Sequence, residues 1–158
     1  MNYNLENSEL TKVLKMAEKD LLSAGRLKFE MSSTWRNQYV PDYPGIYALF
    51  ERQDNLIYIG ETGNLRERMN DICRTVNHTF RRQFAHKRYG VEKAKKKFDA
   101  DIEIKLNNFF KEQLHLAFIE VNFGRIEIET YLVTKYQKTL LNSEKKRKLK
   151  LILDDLEH

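Results

Sequence analysis

Pro44-Gly45-Ile46-Tyr47-Ala48-Leu49-Phe50-Glu51 and Leu56-Ile57-Tyr58-Ile59-Gly60 decide how this chain folds. Both are apolar, β-prone runs, and the turn signal Asp54-Asn55 lies between them. They predict a hairpin over 45–51 and 56–60 in which each strand carries one tyrosine. Ten residues separate Tyr47 from Tyr58, and glycines stand at Gly45 and Gly60.

Outward from the hairpin the pattern is mostly helical. Asn64-Leu65-Arg66-Glu67-Arg68-Met69 opens a helix, with Asn64 or Thr62 as its cap and Leu65, Met69, Ile72 and Cys73 as its apolar face. Thr79 to Phe98 reads as helix interrupted near Tyr89-Gly90. Leu114 to Val121 alternates as a third strand, with Leu116, Phe118 and Glu120 on one face, and Phe123-Gly124 breaks it. Arg125 to Tyr136 reads as a further helix. Upstream, Ser8 to Ala24 is amphipathic, with Ser8 as N-cap, Leu10, Val13, Leu14, Ala17 and Leu21 as its stripe, and Gly25 as a stop. Trp35 and Tyr39 are expected to anchor the segment before Pro41 and Pro44. The expected fold is α/β in composition (α+β): a three-stranded, mainly antiparallel sheet flanked by helices, with an added N-terminal helix.

Composition narrows the class. A chain of 158 residues suits one domain with a core of its own, and 41% hydrophobic with 32% charged residues fits a globular protein rather than a disordered one. The single cysteine, Cys73, makes no internal disulfide and is expected to be a buried small side chain. No run of about 18 apolar residues exists and the N-terminus lacks a secretory layout, so an intracellular (cytoplasmic) location off the membrane is expected. The formal charge is +5 and the pI about 9.2. Basic residues concentrate after His78: Arg81, Arg82, Lys87, Arg88, Lys93, Lys95, Lys96 and Lys97 face only Glu92 and Asp99. A second cluster is Lys145-Lys146-Arg147-Lys148 with Lys150. The stretch from Arg81 to Lys97 is the expected nucleic-acid surface, since Lys and Arg grip backbone phosphates in a salt-sensitive way.

The paired tripeptides Gly45-Ile46-Tyr47 and Tyr58-Ile59-Gly60, followed by Tyr-Ile-Gly-x-Thr-x-Asn-Leu-x-x-Arg, resemble the signature of the GIY-YIG nuclease superfamily. The resemblance covers about Pro44 to Asn142 and divides the chain into an N-terminal helical extension (1–43), the nuclease domain (44–142) and a basic tail (143–155). Leu156-Glu157-His158 resembles the start of a purification-tag linker and is set aside.

The resemblance implies a metal-dependent endonuclease acting on DNA with Mg²⁺ or Mn²⁺. Tyr47 or Tyr58 would serve as general base, Arg68 would contact the scissile phosphate, and Glu129 would hold the metal. Glu129, followed closely by Leu132-Val133, fits the family pattern better than its neighbour Glu127, and Asn142 matches the asparagine that closes the module. A lone carboxylate binds Mg²⁺ weakly, so waters and substrate phosphate must complete the octahedron. Two positions depart from the family: Ile72 stands where some relatives carry histidine, and Glu61 follows the second glycine where repair-type relatives often carry lysine. His78, with Thr79-Phe80-Arg81-Arg82, forms a polar cluster able to approach the phosphate; for Glu61 two roles stay open, added metal binding or a hydrogen bond to backbone near the helix start. His86 and His115 show no ligand spacing, so zinc is not expected. One module offers one site, so cutting both strands requires a dimer or two sequential nicks. The rival readings are a nucleic-acid-binding module that lost cleavage and a restriction-type nuclease with its own recognition sequence.

Overall fold

Along the chain the elements are α1 (Asn7–Ser23), β1 (Leu27–Lys28), α2 (Ser33–Tyr39), β2 (Gly45–Glu51), β3 (Asn55–Thr62), α3 (Leu65–Ile72), α4 (Thr79–Tyr89), α5 (Ala100–Gln113), β4 (Leu114–Glu120) and α6 (Arg125–Lys135). They come from a computed structural model that describes residues 7–93 and 96–143. The fold is α+β, with six helices and one antiparallel sheet ordered β1-β4-β2-β3. The sheet has four strands, not the three expected. Leu27 and Lys28 pair with Leu116 and His115 of β4, and the Phe29 amide extends the pairing by donating to the Leu114 carbonyl at 2.8 Å. A two-residue strand is too short to show an alternating pattern.

The hairpin runs in the expected register, with Tyr47 opposite Gly60 and Leu49 opposite Tyr58. Its turn is tighter than Asp54-Asn55 suggested: β3 already begins at Asn55, and Arg52 takes the left-handed conformation at φ 58°. Because strand side chains alternate, central β2 feeds two cores at once. Ile46, Ala48 and Phe50, with Ile59 of β3, pack against α1 and α6. Tyr47 and Leu49, with Tyr58, pack on the other face against Trp35, Leu65, Phe80 and Phe110. Trp35 therefore anchors its segment, whereas Tyr39 is half exposed. Val13 also lies exposed, outside the stripe it was read into.

Both motif glycines are steric requirements. A Cβ on Gly60 would fall well inside 3.0 Å of the Tyr47 Cζ and Oη, because the Tyr47 ring lies across the strand onto it. A Cβ on Gly45 would collide with the Ile119 carbonyl of β4 and crowd Leu65 of α3. On its outer edge, β3 is closed by the chain after α6. The Leu141 amide donates to the Ile57 carbonyl at 2.8 Å. Asn142 imitates a strand residue, accepting from the Ile59 amide at 3.0 Å and donating to its carbonyl at 2.6 Å.

The helices follow their caps. The Asn64 side chain accepts from the Glu67 amide at 3.1 Å, while Thr62 Oγ1 accepts from the Asn64 amide, so both expected cap residues act at the start of α3. Cys73 ends that helix partly buried, and burial pushes its thiol pKa up. α4 stops at Tyr89 because Gly90 turns left-handed at φ 69°, so the helix does not resume toward Phe98 among the described residues. Residues Ala100–Gln113 prompted no assignment from their mixed pattern, yet form α5 and bury Leu106, Phe109 and Phe110. α1 is clasped to α6 by Glu18, which accepts from Tyr131 Oη at 2.8 Å, from Lys135 Nζ at 2.6 Å and from Tyr136 Oη.

Arg81 joins α4 to α5. It is 1% exposed and donates to Glu103 Oε2 at 2.7 Å, Asn107 Oδ1 at 3.0 Å and Thr75 Oγ1 at 3.2 Å. Burial works to raise the Glu103 carboxyl, but hydrogen bonds from Thr75, the Phe98 amide and Arg81 outweigh it and hold the pKa below the usual range. Arg81 was expected on the nucleic-acid surface; its burial in this network removes it from that role.

Gly60→Ala is expected to destabilise the fold by about 1–3 kcal/mol, the usual cost of overpacking a filled core, because the clashing ring is itself buried. Urea unfolding monitored by circular dichroism measures this; an unchanged midpoint would contradict the close approach. Glu103→Ala leaves the buried Arg81 charge without its carboxylate and is expected to cost about 3 kcal/mol in the same measurement.

Candidate active site

The site forms where β3 is the sheet edge, a place where side chains from both layers can meet. Tyr47 and Tyr58 point to the same face, with ring centroids 6.3 Å apart and planes 23° from parallel. α3 brings Arg68 to the cleft from beside the hairpin, one turn after the Asn64 cap. From the opposite layer, α6 buries Ile128 and Leu132 and presents Glu129 to the same cleft around the strand edge. The loop before α4 contributes Asn77 and the cap His78, and the first turns of α4 contribute Thr79 and Arg82.

All five expected catalytic positions (Tyr47, Tyr58, Arg68, His78 and Glu129) thus line one cleft. Glu127 lies instead in an apolar groove with Leu10, Val13 and Phe123, away from the tyrosines. Glu61 now has a partner: Arg125 Nε donates to its Oε2 at 3.2 Å, and Arg125 Nη1 also donates to the Asn122 carbonyl at 2.8 Å. This pair ties the start of α6 to β3 and fixes the helix that carries Glu129.

His78 is held on both ring nitrogens. Nδ1 accepts from the Phe80 amide at 3.0 Å, which makes the histidine the N-cap of α4. Nε2 lies 2.9 Å from Tyr47 Oη. With the Nδ1 lone pair occupied, the proton of the neutral imidazole sits on Nε2 and is donated to the phenol oxygen. Burial, with Arg68 and Arg82 nearby, lowers the His78 pKa to about 3 and keeps that tautomer neutral at physiological pH. Burial, then the neighbouring Tyr58, pushes the Tyr47 pKa well above 10, and Arg68 pulls against that rise. The Tyr58 pKa is also raised, first by burial; its hydroxyl lies 3.3 Å from Thr79 Oγ1.

The basic stretch divides. Arg82 belongs to the cleft and Arg81 to the core. Lys87 is exposed, with Nζ 3.4 Å from the Leu140 carbonyl. Arg88 is engaged by both oxygens of Glu51 at 2.8 and 2.7 Å. Lys93, Lys96 and Lys97 are exposed beyond Gly90. Lys95, the Lys145–Lys150 cluster and residues 156–158 lie outside the described residues.

Among the described residues no cluster of three or more His, Cys, Asp or Glu is arranged to hold a metal. The donor set at the cleft is instead two carboxylates, Glu129 and the Arg125-paired Glu61, beside phenolic oxygens. That set fits a hard cation which keeps most of its waters and takes the rest of its ligands from a phosphate, and does not fit a fully protein-bound ion. Asn77 went unread in the sequence, whereas Thr79 and Arg82 of the polar cluster expected around His78 do reach the cleft. The only available signal was the polar run around His78, whose exit angle depends on the cap.

Among the described residues no helix is long and apolar enough to cross a membrane. Neither a curated protein nor a solved structure matches the chain. A family model described as the GIY-YIG catalytic domain matches residues 44–156, well over half of the 158. The match includes both tripeptides, the tyrosines stacked at the cleft, and the helices that bring Arg68 and Glu129 to them. The chain belongs to the GIY-YIG catalytic domain family.

Proposed function

We propose that this nuclease-family protein is a divalent-metal-dependent endonuclease that hydrolyses phosphodiester bonds in DNA. The observation that carries the reading is the convergence of Arg68 and Glu129, from opposite layers, on the two stacked tyrosines. Mg²⁺ or Mn²⁺ would be held by Glu129. When bound, such a cation supplies positive charge that acidifies a neighbouring water or phenol and neutralises the oxyanions of the reaction.

Tyr47 is the better base of the two tyrosines. Its phenolate accepts the Nε2 hydrogen of His78, while Tyr58 has only the Thr79 hydroxyl nearby. In the resting protein burial keeps Tyr47 protonated, so it ionises only when the cleft carries additional positive charge. The phenolate then takes a proton from the attacking water as the water oxygen bonds to phosphorus. The ester P–O bond breaks, and the leaving oxygen takes a proton from solvent. Arg68 binds the phosphate oxygens through this step, where its guanidinium matches the developing charge. Exposed Lys93, Lys96 and Lys97 would extend contact along the flanking backbone.

Plasmid nicking tests the reading. The wild type is expected to nick supercoiled DNA with Mg²⁺ or Mn²⁺ and to stop with EDTA. Arg68→Ala and Glu129→Ala are each expected to be slower by about 100-fold or more, and Tyr47→Phe to lose more than Tyr58→Phe. A wild type that binds DNA yet leaves it intact across divalent metals would favour the binding-module reading instead.

His78 makes a prediction for stability against pH. Its folded pKa of about 3 lies below the ordinary value of 6.5, so the unfolded chain binds the proton more readily between those values. Stability from this site is present above pH 6.5 and declines as pH falls toward 3. His78→Asn keeps a good N-cap but removes the titration. Its melting temperature is expected to fall less than that of the wild type between pH 7 and 4, while its cleavage rate drops about tenfold with loss of the bond to Tyr47.

A further inference from the structure

Arg81 and Arg82 are adjacent in sequence and opposite in environment. Arg81 turns into the core, where its Nε and Nη2 donate to Glu103, Asn107 and Thr75. Arg82, half-buried, turns to the cleft, and its side chain has no hydrogen bond or ion pair among the described residues. Arg68 is in the same condition. The third guanidinium at this end of the sheet, Arg125, is already held by Glu61. Two unpaired guanidiniums, delivered by two different helices, therefore border one cleft, with the buried neutral His78 close to both.

We propose that Arg82 is a second catalytic arginine, which together with Arg68 grips the non-bridging oxygens of the scissile phosphate, and is not a member of the flanking backbone track. This rests on the nuclease reading above and deepens it. A phosphodiester carries one negative charge in the ground state and gains charge on its equatorial oxygens as water adds. A second positioned guanidinium is therefore worth more in the transition state than in the bound substrate. The position is preorganised: α4 is capped by His78 at its first turn and bolted to α5 through the residue preceding Arg82. The planar fork of arginine suits two phosphate oxygens, which a lysine at the same place does not match. Placed on the outer face of α4, like Lys87, the side chain would raise affinity without discriminating between the two states.

The test separates binding from chemistry. Arg82→Ala and Arg82→Lys would be compared with wild type by single-turnover cleavage of a saturating duplex oligonucleotide in Mg²⁺. Affinity for the same duplex would be measured in EDTA, with melting temperatures confirming that both variants fold. The expected result is an Arg82→Ala rate at saturation lower by about 100- to 1,000-fold, with affinity changed by less than about threefold. Arg82→Lys should lie between, keeping the charge but not the fork. An Arg82→Ala variant that binds about tenfold more weakly yet cuts at the wild-type rate when saturated would overturn the proposal and return Arg82 to the backbone track. Equal rates and affinities would overturn it too. If the wild type itself cuts no DNA, the nuclease reading fails and takes this role with it. If the wild type cuts and Arg82→Ala cuts equally fast, only the assignment of Arg82 fails.

Discussion

The active end of this molecule depends on one close approach, the Tyr47 ring lying across the hairpin onto Gly60. With a side chain at position 60 the ring would have to swing away, and three relationships would go with it. The Tyr47 hydroxyl would leave His78 Nε2, the stacked arrangement with Tyr58 would be lost, and the cleft above the strand would change shape. Gly45 does the same service on the other side of Tyr47, letting the Ile119 carbonyl and Leu65 come close enough to seat β4 and α3. The two glycines of the signature are thus space rather than flexibility. Neither has a positive φ, and each is needed because something else occupies the place of its Cβ.

The site's electrostatics follow from its location. A sheet edge is where the two layers of the fold touch, so Arg68 from one and Glu129 from the other meet without either crossing the core. Burial at that seam sets the protonation states: His78 stays neutral down to about pH 3 and Tyr47 stays protonated. At rest the cleft therefore holds a neutral imidazole beside a protonated phenol. The Glu61–Arg125 pair ties α6 to β3 at this seam, while the Glu18 clasp and the buried Arg81–Glu103 network brace the layers on either side of it.

The hairpin, α3 with its Asn64 cap, β4 and α6 were legible because each combines a clean period with a recognisable start or stop. The cleft residues were legible because the family signature is local around Tyr47, Tyr58 and Arg68. What escaped was non-local or too short. β1 is two residues long and exists only through its pairing with Leu116 and His115. α5 mixes Asp101, Glu103 and Lys105 with two asparagines, so its apolar stripe of Leu106, Phe109 and Phe110 emerges only in its second half. Missing α5 also hid the partner of Arg81. A count of basic residues assigned Arg81 and Arg82 to one surface, when helix phase and a carboxylate 22 residues away send them in opposite directions. Glu61 was unreadable for the same reason, since Arg125 lies 64 positions downstream.

Asn142 has a wider consequence. An edge strand is an open template of amides and carbonyls, and a strand carrying Tyr58 beside the candidate site would be a poor place to attract another chain. By giving both faces of its amide to Ile59, with Leu141 taking the Ile57 carbonyl, the segment after α6 ends the sheet with a side chain instead of a further strand. The strand therefore stays unextended where it is paired. What reaches the cleft must be recognised by the charges and hydroxyls around it rather than by backbone pairing, which suits a ligand made of phosphate and sugar better than one made of peptide.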